Sequence, residues 1–168
     1  MYYAYLVSLM TAAYSSLSFA GGIHSHGLGN LDIAVSGKDI SFILRTSIHD
    51  TVGFERQAKT EKEKAIIDER KKALSQPMAF IKIEGTKCDI MLDGIDGFEE
   101  LVKKKVTDHS DIEATYKGSC QSAVAGKSII FSFKKVVPGL KKVKLQVIGG
   151  SKPQGGKRNV HPTLKVDL

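Results

Sequence analysis

A chain of 168 residues, 42% hydrophobic and 26% charged, has the length and apolar content for one domain with a real core, which excludes a disordered chain. Tryptophan is absent and aromatic residues are few, which argues against a sugar- or base-stacking surface. The net charge is +7, and much of the excess lies at Lys134, Lys135, Lys141, Lys142, Lys144, Lys152, Lys157, Arg158 and Lys165. No nucleic-acid-binding motif accompanies it, so it reads as a solvated face; attraction to an acidic partner or anionic lipid is the alternative.

In chain order, Tyr2 to Ala20 is apolar and carries no charged side chain, and its core from Ala4 to Ala13 is short for a bilayer span. Ser18 and Ala20 flank Phe19 as small residues before a cleavage point. Residues 1–20 therefore read as a signal peptide and residues 21–168 as a single exported domain with no stable membrane anchor. Export also makes nucleic acid an unexpected partner. No Lys or Arg follows Met1, and the competing reading is a buried terminal element of a cytosolic protein.

His24-Ser25-His26 follows the leader. On an extended segment residues two apart point to one side, so two imidazoles can close on one divalent metal. Leu31, Ile33 and Val35 then alternate with polar or small residues, as do Ile40, Phe42 and Leu44, with Ser36-Gly37-Lys38-Asp39 between them; this predicts a half-buried hairpin. Thr60 and Glu63 form a capping box for a helix with Ala65, Ile66, Ala73 and Leu74 in its apolar stripe, ended by Pro77. Strands are expected at Ala79 to Ile83 and Cys88 to Leu92, and a short amphipathic helix at Phe98 to Val106 with Phe98, Leu101, Val102 and Val106 inward. Further strands are expected from Ile112 toward Cys120, at Ile129 to Phe133, at Val143 to Val147 and at Leu164 to Leu168. Gly149-Gly150 and Gly155-Gly156 mark a turn region between the last two. The pattern is α+β: an antiparallel sheet or small sandwich with one main amphipathic helix packed on it.

Cys88 and Cys120 are the only cysteines. In an exported chain an even pair reads as a disulfide; in a cytosolic one the same pair would be buried thiols. Their spacing is too wide for a redox or zinc C-x-x-C.

Catalytic signatures are missing: no G-x-S-x-G, H-E-x-x-H, phosphate loop or dinucleotide fingerprint occurs, so an enzyme is not expected. The metal reading is stronger. His109-Ser110-Asp111 repeats the period-two spacing of His24 and His26 at the start of a predicted strand. If the two strand ends are neighbours, the pairs supply three nitrogens and one oxygen to zinc. His49 and His161 lack a partner at ligand spacing and read as surface or capping residues, although His49 sits close to Glu55.

The ordered set of His24-Ser25-His26-Gly27, Leu31 to Val35, Val52-Gly53-Phe54-Glu55, a charged helix, Cys88, His109-Ser110-Asp111 with Tyr116 and Cys120, and Pro138-Gly139-Leu140 before Val143 to Val147 resembles the zinc-regulated periplasmic ZrgA-like proteins of Gram-negative bacteria. The resemblance runs from about His24 to Leu168. It implies a periplasmic protein that binds zinc and assists zinc uptake alongside an ABC importer. It also implies His24, His26 and His109 as ligands with Asp111 next, and pairing of Cys88 with Cys120. Two departures stand out. Many relatives carry a His-rich loop where Ile90 to Asp108 has no histidine and includes Lys103, Lys104 and Lys105. Relatives also tend to have His after Gly-Phe-Glu, where this chain has Arg56, whose guanidinium is no ligand. The expectation is one Zn²⁺ at most, in an accessory carrier whose partner is a periplasmic zinc-uptake component. The rival expectation is a metal-free interaction domain using the basic C-terminal face.

Overall fold

The computed structural model describes residues 26–102 and 111–168; the expected leader over 1–20, His24, Lys103 to Lys105, Val106 and His109 lie outside the described residues. The chain opens with a hairpin of β1 (Leu28–Ser36) and β2 (Asp39–Ser47), in register from Asn30 opposite Arg45 to Ser36 opposite Asp39. Only Gly37 and Lys38 separate the strands, and Gly37 takes the left-handed φ of 60° that so tight a connection needs. Leu31, Ile33, Val35, Ile40, Phe42 and Leu44 all turn to one face and are buried, as period two requires.

Seven further strands follow: β3 (Ile81–Glu84), β4 (Cys88–Asp96), β5 (Asp111–Cys120), β6 (Ser128–Phe131), β7 (Lys142–Ile148), β8 (Gln154–Asn159) and β9 (Leu164–Asp167). They form a six-stranded sheet in the order β4-β5-β2-β1-β7-β8 and a three-stranded sheet in the order β3-β6-β9. Two side-chain layers meet between the sheets. Phe42 of the large sheet meets Phe131 of the small one edge to face at 5.6 Å, and Phe131 stacks on Phe133 at 5.3 Å.

The architecture is sheet-dominated α+β, and two expectations need correction. The large sheet is mixed, because β1 and β7 run parallel, from Leu28 beside Lys142 to Ala34 beside Ile148. Strand direction is set by the long connections between β1 and β7, which no local pattern reports. The Gly155-Gly156 pair belongs to β8 rather than to a turn. That strand lies at the sheet margin with nearly every residue exposed, so it carries no apolar alternation to read.

α1 (Ile48–Val52) and α2 (Glu61–Leu74) lie at the end of the sheet where β2 finishes. α2 has the expected capping box; Ile67 and Leu74 are buried, Ile66 and Ala73 pack half-buried against the core as expected, and Ala65 faces solvent. The carbonyl of Leu74 accepts a hydrogen bond from the buried Tyr116 hydroxyl at 3.1 Å, which ties the helix to β5. The expected helix after Phe98 is a short 3-10 turn over Phe98–Leu101, with both end residues buried. Val102, expected inward, is 69% exposed, because the turn ends before it. Among the described residues no helix is long and apolar enough to cross a membrane.

The capping box yields a pH prediction. Glu63 accepts from the Lys59 and Thr60 N–H groups at 2.6 and 3.2 Å and pairs with Arg56 at 2.5 Å. The Arg56 bond first, then that from the Lys59 N–H, lowers the Glu63 carboxyl from 4.5 to about 2. A lowered folded-state value means the stabilisation is fully present above pH 4.5 and is lost as pH falls toward 2. Protection of the Thr60 to Lys64 amides, each referred to intrinsic exchange at the same pH, is therefore expected to fall over that window, and in Glu63→Gln that fall should vanish.

Candidate metal centre

Ser47 ends β2 and starts α1 in one residue. Its backbone is extended and its hydroxyl accepts the Asp50 N–H at 3.0 Å, so the chain turns at once into a single helical turn. Gly53 closes that turn with φ of 88° and donates to the His49 carbonyl at 2.8 Å. This one turn presents His49 to solvent and drives Asp50 inward, where it is 2% exposed.

Asp50 is a fixed point for three separate stretches of chain. Both carboxylate oxygens accept the Gly27 N–H at 2.8 Å, which fixes the approach to β1. Its carbonyl accepts the Gly139 N–H at 2.8 Å. A side chain at Gly139 would sit 2.7 Å from the Asp50 Cα, so only glycine permits this approach. Gly27 returns the contact, its carbonyl accepting the Lys141 and Lys142 N–H groups at 2.9 and 2.8 Å.

His26 precedes Gly27, so the same bond that holds Gly27 places its imidazole over α1. The His26 and His49 rings lie 4.4 Å apart, tilted by 53°. One ligand atom from each of His26, His49 and Asp50 falls within 4.8 Å of the other two. A tetrahedral zinc site with bonds of 2.0–2.1 Å has ligand atoms roughly 3.3 Å apart. Both imidazoles are exposed and can rotate to close that difference, while Asp50 is held. The Glu55 carboxylate stands 3.9 Å from the His26 Nδ1, as a further oxygen at the rim.

Arg56, the departure noted in the sequence, does not point its charge at this group. Its guanidinium is bound to Glu63 and lies 5.4 Å from the centre of the Phe54 ring. The cation is thereby matched to a carboxylate at the start of α2.

Of the residues expected to bind metal, His26 is in this group, and His24 and His109 lie outside the described residues. Asp111 begins β5 with its backbone opposite Ser47, one strand across from α1 and two from β1, a lateral step of roughly 10 Å from the line of His26. It is not part of the group. The first residue of β5 thus lies at the same end of the sheet as His26 and His49.

His49 and Asp50 were not singled out as ligands by spacing, because their partner His26 is remote in sequence. The signal available was Ser47-Ile48-His49-Asp50 followed by Gly53, a helix start and stop five residues long. Three of the motifs that carried the resemblance meet here: the Gly27 end of the first, Gly53 to Glu55 of the second, and Gly139 of the last. Gly27 and Gly139 meet at Asp50, Gly53 closes the helical turn that carries it, and Glu55 stands beside His26.

At the opposite end of the large sheet, Cys88 of β4 and Cys120 of β5 face each other in register and are joined by a disulfide. Among proteins of known family, the sequence model described as ZrgA family zinc uptake protein matches residues 23–164. No curated protein matches the chain.

Proposed function

We propose, because the chain belongs to the ZrgA family of zinc uptake proteins, that this domain is an exported accessory carrier that holds one zinc ion through His26, His49 and Asp50. Glu55 or a water molecule completes the shell, and the domain performs no catalytic step. It passes zinc to a periplasmic uptake component such as an ABC importer. The observation that carries this reading is the convergence of two exposed imidazoles and one anchored carboxylate from two remote stretches of chain.

The chemistry suits a cargo rather than a structural ion. Asp50 is already held by Gly27, so one ligand is preorganised whether or not metal is bound. The two imidazoles are at the surface, where a receiving protein can reach the ion. Nitrogen and oxygen donors favour zinc over the harder calcium and magnesium. The Cys88–Cys120 bond supports an oxidising compartment, and with it export.

Equilibrium dialysis of tag-free protein against limiting zinc tests the proposal. Stoichiometric retention is expected, falling at least about tenfold in affinity in His26→Ala and in His49→Ala, the scale typical of disturbing a metal shell. Retention unchanged in both variants would overturn it. The same measurement on His24→Ala and His109→Ala decides whether either adds a ligand.

A further inference from the structure

β8 ends the large sheet, so one side of its backbone has no neighbouring strand among the described residues. The ladder tells which groups are free. Val160 N–H donates to the Lys141 carbonyl at 3.0 Å, and the register continues inward with Arg158 opposite Val143 and Gly156 opposite Leu145. Alternation in an antiparallel pair then turns the N–H and C=O groups of Gly155, Lys157 and Asn159 away from β7. Gly155 and Gly156 are both exposed and bring no side chain of their own to the edge, where the Arg158 guanidinium lies beside Gly156.

The side chains beside this edge share one sign. Lys144 and Lys157 are directly opposite on the solvent face, and Lys142 lies two residues from Lys144 on the same face. Like charges placed opposite each other oppose pairing of the strands that carry them. The carboxylates next along that face, Asp32 and Glu113, are both taken by Arg45, at 2.8 and 2.6 Å. Among the described residues Lys142, Lys144 and Lys157 form no ion pair, whereas Lys165 and Lys117 elsewhere on the protein do. Arg158 is also exposed, and its guanidinium donates to the Lys157 carbonyl at 3.3 Å, filling one of the outward acceptors from within.

We propose that the free edge of β8, with Lys142, Lys144, Lys157 and Arg158, is a docking strip for an acidic polypeptide that binds as an added strand. The N–H groups of Gly155, Lys157 and Asn159 and the carbonyls of Gly155 and Asn159 hold the main chain, and the lysines select acidic side chains at alternate positions. Basic residues on an edge also repel a second copy of that edge, which excludes self-pairing and leaves an oppositely charged strand as the occupant. The strip is separate from the residues proposed to hold zinc.

Fluorescence anisotropy with a dye-labelled peptide of alternating Glu and Thr tests this. A companion peptide of the same sequence and charge, with every backbone amide N-methylated, cannot donate to the ladder. The first is expected to bind, with affinity falling steeply as salt rises, and the companion about tenfold more weakly. Lys144→Gln with Lys157→Gln should weaken the first peptide about tenfold, the loss of two exposed ion pairs of ordinary strength. Both substitutions are at the surface, and an unchanged thermal melt of the double variant reports that the fold is intact. Equal binding of the two peptides, binding that survives the double substitution, or preferential binding to phosphatidylglycerol vesicles would each overturn the proposal. Loss of zinc binding in His49→Ala with peptide binding retained would separate this strip from the metal proposal.

Discussion

Asp50→Ala is expected to lower stability by about 2–3 kcal/mol and to abolish zinc retention. The substitution leaves the Gly27 N–H buried without an acceptor that carries charge, and bonds of that kind contribute about 1.5–3 kcal/mol. For a domain of this size the melting temperature should fall by roughly 5–10 °C. The effect reaches beyond one bond, since Asp50 also sets the position of Gly27 and hence of His26. Asp50→Asn separates the two roles. Its amide oxygen still accepts from Gly27, so most of the stability should return, while zinc affinity stays at least about tenfold down because a neutral amide is a poor zinc ligand. Thermal melts and dialysis on the same two proteins check this. Full zinc affinity in Asp50→Asn would remove the carboxylate from the ion's shell.

Replacing Cys88 and Cys120 together by Ala is expected to cost about 3–4 kcal/mol, the chain-entropy value for a closure spanning 32 residues. The bond closes the β4–β5 pair at the end away from the candidate centre. From Cys120 to Asp111 the strand runs nine steps, or roughly 30 Å. Zinc affinity well below the melting temperature should therefore match that of the parent protein. A denaturant melt with and without reductant, followed by dialysis, measures both. A loss of zinc affinity that tracks the lost disulfide would mean that the two ends of the sheet are coupled.

The amount of this that could be read from sequence differs by element. The β1–β2 hairpin and the start of α2 were legible, because their determinants are local: strict alternation, a two-residue turn with glycine, and Thr60 three residues before Glu63. The parallel pairing of β1 with β7 was not, since it joins residues more than a hundred positions apart and leaves no periodic trace. β8 was missed for the opposite reason: an exposed margin strand containing two glycines has neither alternation nor β-branched residues to mark it.

The candidate centre was half legible. Spacing singled out His26 because its neighbour two residues away is also a histidine. His49 had no such neighbour, and its partner is supplied by folding, through the Gly27–Asp50 bond. Asp50 differs from the other acidic residues in its burial and its contact with Gly139, neither of which leaves a mark in the sequence. α1 carries both residues and is only five residues long, too short for a helical period to show.

The direct test of the central claim is an anomalous difference map at the zinc edge from crystals of the zinc-loaded protein. The account predicts one peak about 2.0–2.2 Å from a ring nitrogen of His26, a ring nitrogen of His49 and an Asp50 carboxylate oxygen. Zinc bound elsewhere, with the His26–His49–Asp50 group free of it, would contradict the account.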